Sequence, residues 1–133
     1  MHKPPTTHSG VRGSVGAAAQ TVATTKYSVG TAFENVTGDA YAAITVKSDK
    51  AYDFYCFGDE SPMTSTAGAG VGTTLGKLLA SETGQAINGT ATTGPKGKTF
   101  FVPIATMRYV LPVVYQASGA NAAVTMTYHT FND

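Results

Sequence analysis

Tryptophan is absent from the sequence, cysteine occurs once, and only 13% of the 133 residues are charged. Each shortage excludes something. A single cysteine, Cys56, permits neither an intrachain disulfide nor a cysteine-based zinc site. Inside the apolar run Tyr52 to Phe57 it reads as a small buried hydrophobe rather than a reactive thiol. The charged share is about half of what a soluble domain usually carries. With a formal net charge of +1, there is no gathering of Lys and Arg of the kind that nucleic acid or an anionic membrane surface demands. Neither partner is expected. No apolar stretch approaches the roughly 20 residues of a membrane span, so the sequence predicts no signal peptide and no anchor.

Catalytic and metal constellations are equally scarce. His2, His8 and His129 share no spacing that would place two ligands on one rigid element. Asp59 and Glu60 are adjacent carboxylates in a loop, where solvated turn residues are the ordinary case, and a calcium loop needs carboxylates at alternating positions. Gly94 to Thr99 ends like a phosphate-binding loop, but Thr92 stands where its first glycine belongs and a strand follows where a helix should. Gly68-Ala69-Gly70-Val71-Gly72 lacks the further glycine of a dinucleotide fingerprint. No serine lies in a Gly-x-Ser-x-Gly elbow. The reading is therefore non-enzymatic, without cofactor or metal. The sequons at Asn35 and Asn88 are taken as chance.

What the chain does contain is strand pattern. No segment keeps an i, i+3, i+4, i+7 apolar repeat over three turns. Apolar residues alternate instead, and glycine, of which there are 15, punctuates the runs. Tyr27, Val29 and Phe33 share one parity. Tyr41 to Lys47 and Ala51 to Phe57, joined by Ser48-Asp49-Lys50, suit a β-hairpin. Lys98 to Ile104 and Met107 to Gln116 read as strands. The turn Ala117 to Asn121 leads into Ala122 to Phe131, and these last two long strands are expected to pair. Pro103 and Pro112 must sit at an edge or a bulge, because proline donates nothing to a ladder. Residues 58–76 form a long Gly-rich connection, followed by a short strand-like piece at Lys77 to Ala80 and a second loop to about residue 98.

These runs predict an all-β fold, a β-sandwich or jelly roll over residues 25–133. Residues 1–24, poor in large apolar side chains, are expected to form an extended or flexible N-terminal arm that orders only against something else. Seven tyrosines and six phenylalanines on strands are expected mainly as packing residues.

The run Ile44 to Ser61 (ITVKSDKAYDFYCFGDES), followed by Met107-Arg108-Tyr109-Val110 and the closing strands, resembles small jelly-roll virion proteins of tailed bacteriophages, of the kind that decorate or cement the capsid. The resemblance spans about residues 40–131. The sequence departs from that pattern at Gly58 to Pro62, and at Leu111 where a second basic residue often stands. It implies a homo-oligomeric structural protein assembled in the bacterial host cytoplasm and carried on the virion, with the major capsid protein or other virion subunits as partners. Expected interface residues are Val11, Arg12 and Val15 in the arm, Met63, Val71 and Leu75 in the Gly-rich connection, and Arg108 and Pro112 in the penultimate strand. Two alternatives stand beside it: a neck or tail subunit, and a carbohydrate-binding module that uses Tyr and Phe around loops 58–76 and 84–97.

Overall fold

A computed structural model describes residues 10–16, 20–66, 76–85, 97–116, 118 and 120–132. Twelve strands are present among them: β1 (Arg12–Ser14), β2 (Gln20–Val22), β3 (Lys26–Tyr27), β4 (Gly30–Thr31), β5 (Phe33–Glu34), β6 (Tyr41–Ser48), β7 (Tyr52–Asp59), β8 (Thr64–Ser65), β9 (Lys77–Gln85), β10 (Lys98–Pro103), β11 (Tyr109–Gln116) and β12 (Ala122–Phe131). No described residue is helical. The fold is an antiparallel β-sandwich, as the alternating pattern predicts.

Sheet A runs β1-β12-β6-β10, with β2 also on the β1 side of β12, and sheet B runs β3-β11-β7-β9, with β5 also on β11. The small pair β4-β8 forms a third layer that touches β11. Alternation sends Ala42, Ile44, Val46, Val124, Met126, Phe100 and Val102 of sheet A inward against Tyr52, Phe54, Cys56, Val110 and Val114 of sheet B, all buried. Leu111 and Val113 have the opposite parity, yet they are fully buried too. The middle of β11 therefore has no solvated face.

Two expected pairings are overturned. β6 and β7 do not form a hairpin, and β11 does not pair with β12: in both cases the chain crosses from one sheet to the other. β6 pairs with β12 and β7 with β11, so the two arches lie side by side. Asp49 binds them, its carboxylate accepting from the Ala123 amide at 2.8 Å and its own amide donating to the Ala123 carbonyl at 3.3 Å. Short turns and alternation specify which face of a strand is buried, and an arch satisfies both as well as a hairpin does.

The N-terminal expectation is corrected for residues 10–16 and 20–24, while residues 1–9 and 17–19 lie outside the described residues. From Gly10 the described chain belongs to the sandwich: β1 and β2 lie on the edge of sheet A against β12, and Val15 and Val22 are buried in the core. The ordering is supplied by pairing with β12, which is why the segment's own composition does not announce it. Gly13 permits the contact, since a Cβ there would stand 2.9–3.2 Å from the ring of Tyr128. The expected strand around Tyr27 to Phe33 is broken into β3, β4 and β5, and Val29 is exposed.

Pro112 lies in the middle of β11, opposite Cys56. The Val114 amide donates away from β7, to Ser28 Oγ at 2.9 Å, so the Pro112 nitrogen, two residues away, faces the same side. There the ladder is interrupted between β3 and β5. The proline sits at a local edge, as its missing N–H requires.

Candidate functional site

Of the expected interface residues, Val15, Met63 and Pro112 are buried in the chain's own core and offer no surface. Val11 is half-buried, with its amide donating to Thr130 Oγ1 at 2.9 Å. Arg108 is exposed and pairs with Glu34 at 3.2 Å; that hydrogen bond is the main reason its guanidinium pKa is raised. Val71 and Leu75 lie outside the described residues, as do residues 67–75 of loop 58–76 and residues 86–96 of loop 84–97. Arg12 alone falls in a structured surface site.

That site is the outer face of sheet A. Register places its outward side chains in rows across the four strands. One row is Pro103, Tyr41 and Phe131; the next is Phe101, Ala43, His129 and Arg12; the third is Thr99, Thr45, Thr127 and Ser14. Phe101 is 67% exposed, the highest value among the exposed large apolar residues. Its ring meets Phe131 edge-on at 6.2 Å, and Phe131 lies 5.6 Å from both Tyr41 and His129. A cluster of rings therefore occupies one end of a solvent-facing sheet, where polar side chains are the rule.

Beside the rings the surface dips. The small side chain of Ala43 leaves a depression of about 400 Å3 lined by Arg12, Gly13, Ser14, Ala43, Thr45, Thr127, Tyr128 and His129. Thr45 and Thr99 share a hydrogen bond at 2.9 Å. The outward positions of β1, β12, β6 and β10 carry the cations Arg12 and Lys47 and no carboxylate. Asp49, in the turn beyond, is engaged with Ala123. The face thus combines flat apolar rings, hydroxyls and positive charge, with no carboxylate at its described outward strand positions.

Sequence reasoning missed this site because its members come from four strands that are remote in the chain. The outward parity of Tyr41, Ala43 and Thr45 is readable in β6, but the neighbours that complete the rows depend on β1 and β10, whose places in the sheet were not.

A second surface feature is an edge. β9 pairs with β7 on one side and, among the described residues, with no strand on the other. Its nine residues are exposed or half-exposed throughout, with Leu78 48% exposed. Two register irregularities against β7 and the positive φ of Gly84 twist it. Among the described residues, no three His, Cys, Asp or Glu side chains gather as metal ligands. Compared with family models, curated proteins and solved structures, the chain matches none.

Proposed function

We propose that the chain is a non-enzymatic structural subunit of a tailed-phage virion, a capsid decoration or cement subunit that joins copies of itself and the major capsid protein. The observation that supports this reading is the edge of β9, which no strand among the described residues pairs. An exposed edge strand presents unpaired N–H and C=O groups and accepts a strand from another chain. Here the edge is long, nearly free of charge between Leu78 and Ser81, and carries an exposed leucine. The same scaffold would serve a neck or tail subunit, with other virion proteins at the same edge.

The test is association and capsid binding. Light scattering coupled to size exclusion should show an oligomer, and the protein should co-sediment with capsids of the phage whose genome encodes it. Leu78→Asp should weaken both without changing the melting temperature, since the residue is at the surface. A strict monomer that leaves capsids bare would overturn the reading.

A further inference from the structure

We propose that the outer face of sheet A is a binding site for a carboxylate-bearing polysaccharide, a chain containing uronic acid residues. This inference stands on a different surface from the β9 edge and does not depend on the virion reading. Three features of one face converge on it. The Tyr41, Phe101 and Phe131 rings offer an apolar platform of the kind on which the C–H face of a pyranose packs, and Phe101 is exposed without being covered by any described residue. The depression over Ala43 is walled by hydroxyls of Ser14, Thr45 and Thr127, which can donate to and accept from sugar hydroxyls. Arg12 stands at its far rim, exposed, and its planar fork of donors matches a carboxylate.

The register gives the span. Phe101, Ala43, His129 and Arg12 occupy one row across four adjacent strands. Adjacent strands lie about 4.8 Å apart, so the backbones carrying Phe101 and Arg12 are separated by roughly 14 Å. A single monosaccharide cannot bridge that separation, whereas an extended oligosaccharide lying across the strands can place one residue on Phe101 and a carboxylate at Arg12. The charge pattern selects the ligand: Arg12 and Lys47 face outward with no carboxylate in the same rows, so an acidic chain is attracted and a neutral one is not. An apolar protein partner would leave Arg12 and the hydroxyls unmatched.

The experiment is titration calorimetry of the full chain with hexagalacturonate, and with maltohexaose as the neutral control. Hexagalacturonate is expected to bind at least tenfold more tightly than maltohexaose. Arg12→Ala and Phe101→Ala, both at exposed positions, should each weaken binding at least tenfold while leaving the melting temperature unchanged. Raising the salt concentration should weaken the wild type more than Arg12→Ala, because the arginine supplies the charge contact. Absence of binding, equal affinity for both sugars, or binding that survives both substitutions would each overturn the proposal. So would self-association of the wild type that Phe101→Ala abolishes, since the face would then belong to a second copy.

Discussion

Phe54 of β7 and Phe100 of β10 stack face to face across the core, ring centroids 4.1 Å apart and planes 5° from parallel. One residue comes from each sheet and both are buried, so the pair holds the two layers in register at depth. Lys98 extends over the Phe100 ring, its Nζ 5.2 Å from the centroid, and also donates to Gln85 of β9 at 2.7 Å. The side of the sandwich where β9 and β10 run is therefore tied both inside and at the surface.

Truncating either ring should be costly. Phe54→Ala and Phe100→Ala are each expected to lower the unfolding free energy by about 3–5 kcal/mol, the usual range for a large aromatic core residue. The double variant should lose less than the sum, by about 0.5–1.5 kcal/mol, because the stacking interaction is removed only once. Urea unfolding of the four proteins measures both quantities. Strict additivity would mean that the rings contribute burial alone.

Asp39 is a second joint, and a polar one. Its buried carboxylate accepts from Thr37 Oγ1 and Thr130 Oγ1, each at 2.7 Å, and from Asn132 Nδ2 at 3.0 Å. Asn35 closes the loop, accepting from the Asp39 amide and donating to its carbonyl, both at 3.0 Å. The network links the loop before β6 to the end of β12, and through Thr130 to Val11. Asp39→Ala leaves three donors without their acceptor and should destabilise the fold by roughly 2–4 kcal/mol. Asp39→Asn retains one carbonyl oxygen and should lose less. Chemical denaturation of both variants checks the order. The burial of Asn35 also removes it as a glycosylation acceptor in the folded chain.

Gly13 tests whether β1 is an integral strand. Tyr128, against which Gly13 packs, is itself stacked on Phe33 with centroids 3.8 Å apart, so its ring cannot retreat inward. Gly13→Val should cost about 1–3 kcal/mol by overpacking. Hydrogen exchange should locate the damage along β1 and the adjoining stretch of β12, where Arg12, Gly13 and Ser14 pair with His129, Tyr128 and Thr127. Unchanged protection of β12 would show that β1 contributes nothing to its stability.

The fold class was legible because much of β6, β7 and β12 alternates between buried and more open positions, and the missing N–H of Pro112 pointed to an edge or a bulge. What alternation does not carry is partnership. The same pattern in Tyr41 to Lys47 fits a neighbour across a hairpin or across a sheet, and the sandwich uses the second. β1 and β2 were invisible for a related reason: Arg12-Gly13-Ser14 and Gln20-Thr21-Val22 have too few apolar residues to declare a face, and they are ordered by β12 rather than by themselves. β9 extends five residues beyond the expected Lys77 to Ala80, because past Leu79 and Ala80, which pack against the core, its side chains are mostly exposed and show no alternation. The sheet A site inherits both difficulties, since its rows combine β6 and β12 with β1 and β10.

Cys56 carries the last prediction. Complete burial opposite Pro112, on the side of β7 that faces sheet A, pushes its thiol pKa far up, because the thiolate would be stranded without solvent. In the unfolded chain the thiol titrates near its ordinary value of about 8.5. The sign follows from proton binding: above that pH the unfolded state has released a proton that the folded state retains, so unfolding gains and stability falls as pH rises. Below about pH 8 the contribution is fully present. Between about pH 8.5 and 10 the unfolding free energy should decline by up to about 1.4 kcal/mol per pH unit from this group alone. Tyr55 and Tyr128, also raised by burial, begin to act near and above pH 10. Cys56→Ala creates a small cavity and lowers stability at neutral pH, yet its curve should be flat across that window where the wild type descends. A thiol reagent provides the parallel measurement: Cys56 should be silent in the folded protein and react at the rate of unfolding, and rapid labelling under native conditions would contradict the burial that produces the shift.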